Sequence, residues 1–188
     1  QKTAYEIRNC DWSSDVCSSD LDHGDLLGDH GLYLKHPIPY EGLLRVGLIA
    51  RGPGIATGAT VSVPVSTLDL PATFCDYAAT SLDDGAQSQS IRPLLEGQPG
   101  ASREVAYSEW HVNASRCGVG LELHTVRTES AKLSVERVSG TGELYDLAND
   151  PHEMDNLFDD PGYRTLRNDL EGLVKDRPGG VLDAYDEP

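Results

Sequence analysis

Hydrophobic and polar positions follow two rhythms along this chain, and the rhythm changes near residue 100. In the C-terminal part, Leu166, Leu170, Leu173 and Val174 fall at i, i+4, i+7 and i+8. That spacing predicts an amphipathic helix over 161–175. Glu171 and Lys175 would form a favourable pair on its outer face. Pro178-Gly179-Gly180 stops it, and an acidic tail follows. Upstream, Leu121–Thr128 and Lys132–Val138 alternate with period two. With Glu104–Trp110 and Glu143–Leu147 they read as four strands, and Gly140–Gly142 as a turn. Short links between consecutive strands predict antiparallel pairing.

The first half has a different texture. Arg45–Arg51 (RVGLIAR) is apolar on both faces, as in a strand internal to a sheet. Gly52-Pro53-Gly54 ends it in a turn. Ala59–Pro64 alternates weakly and reads as a second short strand. Ser66–Ala79 carries a helix start: Thr67 as N-cap, Asp69 in the first turn, Pro71 tolerated there. Leu70, Phe74 and Tyr77 or Ala78 would share its buried face. Thr80–Ser90 is a polar loop, and Ile91–Leu95 is a short apolar segment. The expectation is an α/β domain over 22–102 and a small antiparallel sheet with a terminal helix over 103–188.

Residues 1–21 fit neither rhythm. Asp11–Leu21 matches the translation of a widely used sequencing-library adapter codon by codon, and Gln1–Ile7 matches its outer part. This segment is expected to be an artefact without regular structure, and it is excluded from fold reasoning. Cys10 and Cys17 leave with it. Cys75 and Cys117 remain, too few for a disulfide framework. Cys75 lies in an apolar run and reads as a core thiol. Four acids and two bases also leave, so the net charge of −16 becomes −14. Such a chain is a poor partner for nucleic-acid phosphates or an anionic membrane surface. No apolar run is long enough to span a bilayer. The remaining chain is expected to be the C-terminal part of a longer protein.

The densest chemistry lies between Asp22 and Arg45. Asp22 and His23 are adjacent and followed by Gly24. At a chain end breaking into a glycine turn, both side chains can reach one point. A carboxylate with an imidazole suits a divalent cation. By themselves two polar residues before a glycine also make an ordinary turn. Lys35 offers a compact positive charge to an anion, although a lysine there also suits plain solvent. His30 and His36 have no ligand spacing between them. Lys35–Pro39 stays extended because of its two prolines, and Tyr40–Leu44 fits one helical turn. Glu143–Leu157 is acidic, but its spacing departs from the EF-hand template. Asn113-Ala114-Ser115 fits a glycosylation sequon, a common chance pattern.

Taken together, these segments resemble a known family. Asp22-His23-Gly24-Asp25, Gly28-Asp29-His30-Gly31, Lys35, Tyr40-Glu41 and Arg45-Val46 through Arg51-Gly52-Pro53-Gly54 are similar to the C-terminal half of the type I sulfatase catalytic domain, in the alkaline-phosphatase-like superfamily. Thr67-Leu68-Asp69-Leu70-Pro71-Ala72-Thr73 resembles its helix start. Val126-Arg127-Thr128, Lys132-Leu133, Glu143-Leu144-Tyr145-Asp146-Leu147, Asp150-Pro151, Glu153 and Asn156-Leu157 resemble its C-terminal subdomain.

The resemblance implies hydrolysis of sulfate esters, on a glycan or a small molecule, by a formylglycine nucleophile and a divalent cation. It implies calcium; imidazole is a softer ligand, which leaves manganese open, and magnesium stays a further alternative. By position, Asp22 and His23 are implied metal ligands and Lys35 a sulfate contact beside the leaving group. Tyr40, Glu41 and Arg45 are implied to brace that loop. The location stays open, and the family's habits favour the periplasm or the exterior over the cytoplasm. The family's nucleophile motif, Cys/Ser-x-Pro-x-Arg, is absent, as is the other half of the metal site. The chain alone is therefore expected to be inactive. Two alternatives stay open: a phosphonate monoester or phosphodiester hydrolase of the same superfamily, and a non-catalytic cation-binding module. The oligomeric state is not legible.

Overall fold

The computed structural model describes residues 22–83, 85–98, 103–114 and 118–177, and the backbone of 17–19. The chain divides into two compact units. One takes the described residues of Gln1–Leu21, Gly47–Val61 and Leu68–Ala101. The other takes those of Asp22–Val46, Ser62–Thr67 and Ser102–Pro188. Asp22–Val46 thus joins the C-terminal sheet, where the sequence had suggested one domain over 22–102. Short-range order says nothing about which later segment a loop packs on.

The second unit carries a four-stranded antiparallel sheet in sequence order. Its strands are β3 (Ala106–Val112), β4 (Leu121–Arg127), β5 (Ala131–Glu136) and β6 (Gly142–Asp146). These overlap the four expected strands, with β3 running on to Val112 and β6 starting at Gly142, which was expected in the turn. Leu133 pairs with Val126 on one side and Leu144 on the other. These three, with Ala131, Phe158 and Leu170, form the core. Leu170 comes from α4 (Arg164–Lys175), whose Leu166, Leu173 and Val174 pack around that core. A short 3-10 turn, Pro161–Tyr163, precedes it. The expected Glu171–Lys175 pair is replaced by Arg167–Glu171, at 2.8 Å. Arg167 is also an i, i+4 neighbour, and its guanidinium lies over the Phe158 ring. Residues 178–188, Ser115 and Cys117 lie outside the described residues.

β5 is buried along both faces. Leu133 is on the core side, while Lys132, Ser134 and Glu136, pointing the other way, are also buried. Each has partners. Ser134 Oγ lies 2.9 Å from Thr125 Oγ1. The Glu136 carboxylate accepts from the backbone N–H and hydroxyl of Ser139, both at 2.6 Å. Those bonds hold it down at a pKa of about 2. The sign follows directly. Ionised Glu136 stabilises the fold above the usual carboxylate range, and that stability is lost as pH falls towards about 2. Glu136→Gln is therefore expected to be less stable than the parent at neutral pH. The two should converge in urea midpoint by about pH 2. A constant gap over that range would rule out the carboxylate as the source.

In the first unit, β1 (Cys17–Ser19) and β2 (Ile49–Arg51) form a two-stranded antiparallel pair. Cys17–Ser19, expected to lack regular structure, is a strand. β2 is shorter than 45–51 and has one partner among the described residues. Ile49 is 71% exposed, so β2 is not internal there. Ala59–Pro64 is coil: Gly58 takes a left-handed φ of 69° just before it.

A 3-10 turn (Thr67–Asp69) leads into α2 (Leu70–Tyr77). Its buried residues are Leu70 and Thr73, while Phe74 is 44% exposed, so the buried face differs from the one expected. The reason is polar. Thr73 Oγ1 donates to the Asp69 carbonyl and accepts from the Ile91 N–H at 3.0 Å. Asp69, fully buried, accepts from the Gln89 N–H. These bonds draw the 88–91 segment over the Thr73 side. α3 (Arg92–Leu95) follows, and Arg92 joins Asp76 and Glu96. Cys75 is free and half-buried rather than a core thiol.

Candidate active site

The candidate residues Asp22, His23, Lys35, Tyr40, Glu41 and Arg45 all belong to the second unit. They sit on one loop and on α1 (Glu41–Leu44), which follows it. The loop turns sharply. Gly28 and Gly31 take φ of 105° and 74°, and Leu27, His30 and Leu34 also adopt positive φ. Non-glycine residues pay for that conformation, so local bonds must hold it. Gly28 N–H donates to the Leu32 carbonyl at 2.7 Å, and Leu27 N–H to Asp25 Oδ1 at 2.9 Å.

The base of the loop is locked to α1. Gly24 N–H donates to the Leu43 carbonyl at 2.8 Å. A Cβ on Gly24 would stand 1.9 Å from the Gly42 carbonyl oxygen. Only glycine permits that approach.

His23 is the centre of the site. Its Nδ1 lies 2.8 Å from the Gly24 carbonyl, which has no proton to give. Nδ1 therefore carries the ring proton and donates, and Nε2 keeps its lone pair. Nε2 lies 3.0 Å from Lys35 Nζ and 3.8 Å from Asp22 Oδ2. The structure thus brings Lys35, twelve residues on, against the imidazole. Asp22 is almost fully exposed, and its Oδ1 accepts from the His23 N–H.

This donor set fits a divalent cation. A ring N–H given to a backbone carbonyl is the arrangement that points the other nitrogen at a metal. The exposed Asp22 carboxylate stands beside it. Among the described residues, no group of three or more His, Cys, Asp or Glu gathers at one point. These two residues supply part of a coordination shell.

Of the bracing residues, Tyr40 and Glu41 lie deeper. Glu41 N–H donates to Glu153 Oε2 at 2.6 Å. The Glu41 carboxylate faces Arg127 at 3.4 Å and Lys132 at 3.9 Å. Lys132, 1% exposed, donates to the Pro39 carbonyl at 2.5 Å and is ion-paired with Glu153. Burial pulls the Lys132 ammonium below its usual range, against the opposing pull of Glu153. Tyr40 stacks on His30, with centroids 3.7 Å apart and planes 4° apart, and burial raises its hydroxyl pKa. Tyr145 and Glu143 sit beside it, both pushed up chiefly by burial. Arg45 is exposed and contributes the backbone N–H that closes α1 on Glu41. Lys132, Glu153 and Glu143 had no assigned role from the sequence. A lysine alternating with core residues was the available signal.

Residues 28–177 match the family described as N-sulphoglucosamine sulphohydrolase, C-terminal. An N-acetylglucosamine-6-O-sulfatase of Bacteroides thetaiotaomicron is 31% identical, over 82% of this chain and 28% of that protein. The solved structure of a 2-O GAG sulfatase superposes with a TM-score of 0.79 at 30% identity, over 86% of this chain and 35% of that one. A phosphonate monoester hydrolase of Agrobacterium radiobacter gives a TM-score of 0.72 at 28% identity, over 83% and 33%. The chain spans about a third of the length of these relatives.

Proposed function

The chain belongs to the N-sulphoglucosamine sulphohydrolase C-terminal family of sulfatases, and we propose that it forms one wall of an active site that hydrolyses sulfate esters. The observation that carries this is the His23 ring, with its proton committed to Gly24 and its Nε2 lone pair turned to Lys35 Nζ at 3.0 Å, beside Asp22. The substrate class is a sulfated saccharide, supported by relatives whose names specify sulfate on a sugar or a GAG.

Each residue has a physical task. Asp22 and His23 Nε2 would hold a divalent cation, calcium by family resemblance, with manganese compatible with the imidazole. Bound there, the cation supplies neutralisation of sulfate oxygen charge. Lys35 Nζ reaches the same point and offers a fixed positive charge to an ester oxygen, worth most as charge builds on it. The strained loop and the Gly24 contact keep these groups from drifting.

The nucleophile motif is absent from these 188 residues. The chain by itself is expected to release no sulfate from an aryl sulfate. In a protein that joins this wall to the nucleophile segment, Lys35→Ala and His23→Ala are each expected to lower kcat/KM by about 100-fold or more. Chromogenic sulfate hydrolysis with excess cation measures both. Unchanged turnover in either variant removes that residue from the reading. The phosphonate monoester hydrolase likeness supports a second reading at the same site. Comparing an aryl sulfate with a phosphonate monoester in that assay separates the two.

A further inference from the structure

We propose that the buried Lys132–Glu153 pair is the positioning element of the Asp22–His23–Lys35 site, an inference that rests on the sulfatase reading for its purpose but not for its test. Two unbroken routes of bonding run from the pair to the site. The first passes through α1. Glu153 Oε2 takes the Glu41 N–H, at the first turn of α1, where backbone donors lack helical partners. Two residues on, the Leu43 carbonyl takes the Gly24 N–H. Gly24 is joined to His23 and also accepts its ring proton. Fixing Glu41 therefore fixes the height and tilt of the imidazole.

The second route passes through the loop's exit. Lys132 Nζ holds the Pro39 carbonyl. The next residue, Tyr40, stacks on His30 in the strained turn between Gly28 and Gly31. Lys132 also lies 6.0 Å from the Tyr40 ring centroid and 5.9 Å from that of Tyr145. That turn leads to Lys35. One buried ammonium thus governs where the anion-facing lysine starts, and its partner carboxylate governs where the ligand histidine starts.

The cost of the arrangement points the same way. Both side chains are almost completely out of water, 1% and 2% exposed. Apolar residues of similar volume usually serve stability as well as a buried ion pair. What they cannot do is accept from Glu41 N–H and donate to the Pro39 carbonyl together. Glu153 itself sits at a left-handed φ of 57°, held there while its carboxylate reaches α1.

The test uses this chain. Amide hydrogen exchange follows Gly24 and Glu41 against Val126, Leu133 and Leu144, and nitrogen NMR at one pH follows the His23 ring. In Glu153→Ala, Gly24 and Glu41 are expected to lose about tenfold or more of their protection through local opening, while the sheet amides lose only what the drop in global unfolding free energy accounts for. His23 should change from one tautomer to a mixture. Glu153→Gln keeps the acceptor for Glu41 N–H, and should restore Gly24 to within about threefold of the parent. Lys132→Met/Glu153→Leu keeps the volume without the charges. It should show a folded sheet with the same loosened Gly24. Native Gly24 protection and a single His23 tautomer in either Glu153→Ala or the double variant would overturn the proposal. So would loss spread evenly over sheet and loop in the double. None of these readouts involves sulfate. If Lys35→Ala left turnover intact while Gly24 loosened as expected, the tether would stand and the sulfatase reading would fail.

Discussion

Lys132→Met is expected to cost this chain about 3–5 kcal/mol of unfolding free energy. Lys132 is 1% exposed and faces Glu153, which is as deeply buried. Removing the ammonium leaves a carboxylate without its counter-charge, far from water. It also leaves the Pro39 carbonyl without its donor. Arg127 cannot take over, because it is directed at the Glu41 carboxylate and the Thr128 carbonyl. Adding Glu153→Leu removes the stranded charge and should recover about 1–3 kcal/mol of the loss. Recovery is partial because Glu41 N–H then lacks its acceptor. Urea unfolding of parent, single and double variants measures all three. A double variant no more stable than the single would mean that the lost stability does not come from an unpaired Glu153.

The same pair marks the limit of what the sequence could tell. The four strands and α4 were legible because period two and period 3.6 are properties of neighbouring residues. Alternation in 132–138 also correctly put Leu133 and Lys132 on opposite faces. It could not say what covers the polar face. A polar face on an antiparallel strand usually meets water. Here Pro39 and Glu41 cover Lys132, from sequence separations of about ninety residues. No local pattern encodes such a partner. Lys132 and Glu153 entered the sequence reading as parts of a family likeness, without a role.

The candidate site shows the same split. Asp22, His23 and Lys35 were named from adjacency, residue type and resemblance. The glycine between ligand and loop was read as turn chemistry. In the structure Gly24 takes no left-handed φ, and its function is close approach to Gly42. The ring tautomer of His23, which decides whether Nε2 can serve a cation, depends on one carbonyl direction. His30 seemed an isolated loop histidine, yet it stacks on Tyr40. Both facts belong to tertiary placement.

Hydropathy misleads most over Arg45–Arg51, and there a paired measurement discriminates sharply. Leu133→Ala is expected to cost about 2–5 kcal/mol, whereas Ile49→Ala should cost no more than about 0.5 kcal/mol. Both residues are large aliphatics in strands, and RVGLIAR is the more apolar segment. Burial separates them. Leu133 is 0% exposed, lies between Val126 and Leu144 in register, and has Leu170 of α4 in the same core. Truncation there opens a cavity between rigid neighbours that cannot close over it. Ile49 is 71% exposed, so truncation removes little surface already withdrawn from water. Denaturant unfolding of the two variants supplies the comparison. Equal costs would show that β2 is covered in solution, and the reading of 45–51 as an internal strand would return. A cost confined to Leu133 would show that the stability of this chain follows tertiary burial around β5 rather than the most apolar stretch of its sequence.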